Sequence, residues 1–221
     1  MTSSVSTTIT TEGLQITSVG TVSHPTLAAT NLAASMRRWR LTSATGVDSV
    51  ADQRSAGWAC WHGNAAGLGG WTFVSRISLT TLQATGMGFF GLYGSTAALA
   101  TTLTLAAAIT CIGIGFQRGT HTRWQLVAND GTGAPTLTNM GASFAMATGG
   151  VLTLFIVAPP NGSSVWVRVV DEVSGAAFEQ EITADLPAAT HSCRRGCSST
   201  PARQPPPSPT TVPGVSIETD F

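Results

Sequence analysis

The sequence predicts an all-β fold, an antiparallel β-sandwich of jelly-roll-like architecture preceded by a Ser/Thr-rich N-terminal arm. Three observations predict it. Only 10% of the 221 residues are charged although 43% are hydrophobic, and a chain so poor in charge lacks the polar face that long surface helices need. Apolar residues recur in short runs with a two-residue period, the spacing that sends alternate side chains to opposite faces of a strand. Between the runs stand Asn-Gly, Asp-Gly and Ser-Gly dipeptides, which supply the positive φ angles of tight hairpins.

Residues 1–30 are rich in Ser and Thr and hold few large apolar groups. Little of that segment can be buried to offset its ordering entropy, so a flexible or extended arm is expected, with the sandwich domain spanning 31–221. Met36-Arg37-Arg38-Trp39-Arg40 opens the folded part, and guanidinium-on-indole packing is expected at this first strand. Gly67-Leu68-Gly69-Gly70 lacks the Lys and helix of a phosphate loop and reads as a turn. In 71–79, Trp71, Phe73, Ile77 and Leu79 share one face while Thr72, Val74, Arg76 and Ser78 share the other, which makes a half-buried strand.

Residues 87–93 and 109–116 are more apolar. In the second run Ile112, Ile114 and Phe116 alternate with Gly113 and Gly115, which admit the close approach of another backbone or an aromatic ring. Strands are then expected at 124–128, 151–157, 165–170 and 178–183, joined through Asn129-Asp130-Gly131, Pro160-Asn161-Gly162 and Ser174-Gly175 as an antiparallel meander without crossover helices. A closing strand ends the chain at 215–221, with Val215, Ile217, Thr219 and Phe221 on one face and Ser216, Glu218 and Asp220 on the other. No fixed-period repeat marks a propeller or solenoid.

Charge and spacing exclude several functions. The net charge is zero and every one of the eleven basic residues is arginine, so no broad field draws nucleic acid or an acidic membrane. The uncharged run 89–117 is long enough to cross a bilayer, but glycines and Ser95, Thr101, Thr102 and Thr104 interrupt it and anchor clusters are missing, so no membrane insertion is expected. Cys60, Cys111, Cys193 and Cys197 form no CxxC pair and follow no secretory signal, which predicts reduced thiols and cytoplasmic synthesis.

His191, Cys193 and Cys197 are metal-like in type but short of the four well-placed ligands a structural site needs, and Cys60 with His62 is a lone pair. Asp171, Glu172, Glu179 and Glu181 are the carboxylates from which a glycosidase pair would be drawn. Glu179 and Glu181, however, alternate with Phe178, Gln180 and Ile182 and fall on a solvated face. No serine sits in a nucleophile elbow, and His121 has no evident catalytic partner. Catalytic, cofactor and metal residues are therefore assigned to none, and the protein is expected not to be an enzyme. Of the six tryptophans, most are expected in the core or a subunit interface; Trp58, Trp61 and Trp124 are the candidate receptor-contact rings, since an indole face stacks on a sugar ring.

The blocks TNLAASMRRWRLTSAT, HGNAAGLGGWTF, IGIGFQRG, RWQLVANDGTGAPT, APPNGSSVWVRVVDE and the terminal SIETDF resemble the C-terminal regions of bacteriophage tail-fibre or tail-associated virion proteins. The resemblance covers 25–190 and 214–221 and carries no catalytic motif. It implies a β-sandwich head on a virion appendage, homotrimeric, made in the bacterial host cytoplasm, in contact with other tail proteins and attaching to a host-surface glycan or protein. The alternatives are a purely structural tail component and a glycan-degrading domain of a tail spike.

The departure from that pattern lies at 191–213, where Arg, Cys, Ser and Pro replace apolar residues and an irregular segment is expected. A one-base shift of the reading frame accounts for it. Taking the third base of each codon with the first two of the next, from within His191, permits FLPPRLFLNTGATAAAVAYDCAG, after which the frame returns at Gly214-Val215. We hypothesise two compensating single-base indels, and the nucleotide sequence over codons 185–216 decides the matter. A lost strand with three large apolar side chains forfeits roughly 5 to 9 kcal/mol, against a total domain stability of about 5 to 15. The segment is therefore expected at a sheet edge, or the chain to be marginally stable.

Overall fold

The computed structural model describes residues 7–11, 14–23, 25–43, 50–55, 63, 65–82, 86–95, 109–188, 194–201 and 216–220. Its elements, in order, are β1 (Thr7–Thr11), β2 (Leu14–Val19), β3 (Thr21–Ser23), a one-turn helix α1 (Leu32–Ser35), β4 (Trp39–Thr42), β5 (Ala51–Ser55), β6 (Trp71–Thr81), β7 (Gly86–Tyr93), β8 (Cys111–Gln117), β9 (Gln125–Asn129), β10 (Thr136–Asn139), a 3-10 turn at Ala142–Phe144, β11 (Val151–Ala158), β12 (Val165–Asp171), β13 (Ala177–Ile182), β14 (Arg194–Pro201) and β15 (Ser216–Asp220). Two antiparallel sheets result, as the alternation predicts. One runs β1-β2-β5-β14-β7-β8-β9-β10 and the other β13-β12-β11-β6-β15-β4-β3.

The facing sides of the sheets make the core. Phe73, Ile77 and Leu79 of β6, Leu154 and Ile156 of β11 and Val165, Val167 and Val169 of β12 pack against Phe90 and Leu92 of β7 and Ile112, Ile114 and Phe116 of β8. The eight-stranded sheet is also buried on its other side, where Met87, Phe89, Tyr93, Cys111 and Val127 form a second cluster. That explains why β7 has no exposed residue and why its sequence does not alternate: a strand covered on both faces reads as a continuous apolar run.

Glycines make this packing possible. Gly91 pairs with Gly113 across β7 and β8. A Cβ on Gly113 would stand 2.2 Å from the carbonyl oxygen of Phe90 and 3.0 Å from the tip of the Phe89 ring. The predicted close approach of backbone and aromatic is thus present at that position. Gly113→Ala is expected to destabilise the fold by about 1 to 3 kcal/mol, read as a lower urea midpoint at unchanged m-value. An unchanged midpoint would refute the contact.

Three expectations are corrected. The described residues of the 1–30 segment are no flexible arm, for β1 and β2 join the eight-stranded sheet beside β5 and β3 pairs with β4 in the other. Backbone ladder hydrogen bonds hold these strands in the sheets. At the start of the domain, the buried Arg38 donates from Nη1 to the carbonyl oxygens of Ala34 and Met36, both at 3.0 Å, and so caps α1 and its exit; the guanidinium-on-indole packing expected there lies outside the described residues, because it rests on the side chain of Trp39. The expected meander also divides between sheets. β11, β12 and β13 form it, while β9 turns through Gly131 into β10 in the opposite sheet. Finally, within 191–213 the described residues 194–201 are neither irregular nor at an edge: β14 lies between β5 and β7, bonded to both. The closing strand is present as β15, inserted between β4 and β6; the facing of its side chains lies outside the described residues.

Candidate functional site

The outer face of the seven-stranded sheet carries the most exposed large aromatic ring among the described residues. Its local origin is the alternation of β12. Val165, Val167 and Val169 are at most 2% exposed, so the intervening Trp166 and Arg168 are turned to solvent, and Trp166 is 53% exposed. Strand register builds the surroundings. Trp166 stands between Val157 of β11 and Glu181 of β13, and Arg168 between Phe155 and Glu179. Beyond β11, Thr72 is opposite Val157 and Val74 opposite Phe155.

Apolar surface is therefore exposed on this face, with Val157, 41% exposed, directly beside Trp166 and Val74, 52% exposed, two strands away in the row of Phe155 and Arg168. At its β13 border, Arg168 Nε lies 3.3 Å from Glu179 Oε1, both side chains more than half exposed. No ion pair is made to Glu181 among the described residues. A third row closes the face, where Arg76 Nε donates to Thr153 Oγ1 at 3.2 Å and the Thr153 hydroxyl donates to Glu172. Chemically, the face offers a flat indole and aliphatic edges for C–H contact, with guanidinium donors and carboxylate acceptors along one side.

Trp124 is not available for such contact, which corrects its assignment as a receptor ring. It is 4% exposed and meets Phe116 edge-on at 5.1 Å. The segment after β10 covers it, with Trp124 N donating to Phe144 O and Met140 N donating to Trp124 O. The pocket beside it, lined by Ser78, Ser143, Phe144 and Asp171 among others, is about 50 Å³, room for a water or two and not for a pyranose ring. Trp58 and Trp61 lie outside the described residues, as do Cys60, His62, His191 and Cys193. Sequence reasoning missed Trp166. The signal was there, because a tryptophan on the wet side of an alternating strand is an exposed ring.

The remaining polar candidates hold the fold. Asp171 accepts from Val173 N at 2.9 Å and from Ser174 Oγ at 2.8 Å, which closes the β12–β13 turn. His121 Nδ1 accepts from Gln117 N at 3.1 Å, and burial lowers its pKa below the ordinary histidine value. The unfolded chain therefore binds that proton more readily, so stability falls as pH drops through the usual histidine range. Cys111 is buried in the second apolar cluster. No group of three or more His, Cys, Asp or Glu side chains able to hold a metal forms among the described residues, and no helix among them is long and apolar enough to cross a membrane.

No protein-family model matches the chain, and no curated protein matches it. Its fold, however, is found among solved structures. Basic winged bean lectin with Tn-antigen superposes with a TM-score of 0.54 at 12% identity, over 90% of this chain and 92% of that one. Arcelin-5, a lectin-like defence protein from Phaseolus vulgaris, gives 0.54 at 12% identity over 91% and 98%. The carbohydrate recognition domain of Emp46p gives 0.53 at 11% over 83% and 81%. At such identities the likeness is one of fold, a lectin-like sandwich.

Proposed function

We propose that this chain is a non-catalytic attachment domain of a phage tail appendage, which binds a cell-surface glycan through the outer face of the seven-stranded sheet. The observation that carries the reading is Trp166, a large ring 53% exposed on a strand whose other face is fully packed. Burying no core and bracing no turn, such a ring contributes most when it covers a ligand, and pyranose C–H faces suit it. Two further points support the reading. Neighbours in fold are named for carbohydrate recognition, and Asp171, Glu172 and Glu179 are taken up by a turn, a hydroxyl and an ion pair, which leaves Glu181 without a second carboxylate to make a hydrolytic pair across a groove.

The protein acts as a homotrimer on the virion tail, beside other tail proteins, and its single sites are weak. Joining three of them raises avidity by a factor of about 10² to 10⁴ when all engage together. Labelled full-length protein is expected to bind host cells and to lose most of that binding when cell-surface glycans are oxidised with periodate. Its mass in solution should be three times that of one chain. Binding that survives periodate would overturn the glycan reading in favour of a protein receptor, and no binding to any cell would leave the purely structural reading in place.

A further inference from the structure

We infer that the Trp166 face selects cationic sugars, with the ammonium group of a de-N-acetylated hexosamine seated between the indole and Glu181. The inference rests on the reading of this face as a glycan site. Its basis is the charge along the β13 border. Three charged side chains flank the ring there, Arg168, Glu179 and Glu181, and they are not equivalent. Arg168 Nε lies 3.3 Å from Glu179 Oε1, so those two charges largely cancel.

Glu181 is left as the net charge beside the ring, and it is the direct cross-strand partner of Trp166. Directly opposed residues on one face of a sheet bring their Cβ atoms to about 5 Å. An indole face and a carboxylate at that spacing attract one and the same kind of group, a positively charged nitrogen, the ring through its quadrupole and the carboxylate through a charge-assisted hydrogen bond. Val157, on the other side of Trp166, offers aliphatic surface for the remainder of the sugar ring. An acidic sugar placed there would meet Glu181 with like charge and no guanidinium free of its own partner.

The test uses the full-length protein and three soluble probes: glucosamine oligomers, the same oligomers N-acetylated, and polyglucuronate. Titration calorimetry is expected to give roughly tenfold tighter binding for the glucosamine oligomers than for the acetylated ones, with no detectable binding of polyglucuronate. Trp166→Ala should abolish binding. Glu181→Gln should bring the two neutral and cationic probes within about twofold of one another while retaining binding. Both sites are exposed, so the variants should melt within a few degrees of the parent. Equal or tighter binding of the acetylated or acidic probe, lost in Trp166→Ala, would overturn the charge selection and leave the glycan site standing. Glucosamine binding that ignores Trp166→Ala would overturn the location. Failure to bind any probe or any cell would remove the glycan reading itself, and a fall in oligomer mass on Trp166→Ala would assign the face to a second copy of the chain.

Discussion

A chain in which residues 191–213 are recoded to FLPPRLFLNTGATAAAVAYDCAG is expected to melt about 10 °C or more above the chain as it stands. The fold sharpens the reason. β14 takes the middle of the eight-stranded sheet, with Cys197 opposite Phe90, Ser198 opposite Phe89 and Arg195 opposite Leu92. Those neighbours are buried on both sides of the sheet, Phe90 and Leu92 in the main core and Phe89 in the second cluster. A central strand covered on both faces calls for a continuous apolar run. Arg-Arg-Gly-Cys-Ser-Ser-Thr-Pro is the opposite, and its final proline cannot donate to the ladder. The shifted reading puts Leu-Phe-Leu where Gly196-Cys197-Ser198 now stand, followed by Asn-Thr-Gly, a turn.

At about 1.5 to 3 kcal/mol for each large side chain buried, and with the lower end favoured because the unfolded chain is already partly collapsed, the gain is about 5 kcal/mol. For a domain of this length each kcal/mol moves the midpoint by about 2 to 4 °C. Calorimetry of the two purified chains side by side measures it. A recoded chain that melts at the same temperature or lower would sink the idea, and so would a gene whose bases forbid every codon of the shifted frame.

Strands were legible where one side of a sheet is dry and the other wet. The valines of β12 and the Phe73, Ile77 and Leu79 positions of β6 carry their burial in their spacing. What spacing does not carry is the partner. Gln125–Asn129 looks like the neighbour of Val151–Ala158 along the chain, yet the two strands lie in different sheets, because pairing is fixed by long-range packing that leaves no local mark. Thr7–Thr11 and Leu14–Val19 were illegible for a different reason. Their residues are β-branched enough to extend, but the apolar content that signals a buried strand is thin, and their pairing with each other and with β5 leaves no local mark in the sequence. At the candidate site the same alternation that marked β12 as a strand also exposed Trp166, while Trp124 drew attention only by being a tryptophan.

Asp52→Ala is expected to destabilise the domain by about 3 to 5 kcal/mol, close to what a single substitution can do at most. Asp52 is fully buried on β5. Its carboxylate pairs with Arg54, whose side chain is only 11% exposed, and accepts a hydrogen bond of 3.0 Å from the Tyr93 hydroxyl on β7. β5 and β7 are not neighbours, since β14 runs between them, so this contact ties two strands across a third. Removing the carboxylate takes the Asp52 charge from a largely buried guanidinium and the Asp52 oxygen from a buried hydroxyl, and each loss carries a desolvation penalty.

Tyr93→Phe deletes only the hydroxyl and leaves the Asp52–Arg54 pair, so it should cost about 1 to 3 kcal/mol. Because both changes touch one network, the double variant should be less destabilised than the sum of the two. Urea unfolding of the four proteins reads the coupling. Additive losses would mean that the tyrosine and the aspartate act separately. An Asp52→Ala variant within about 1 kcal/mol of the parent would mean that water reaches the pair and screens it.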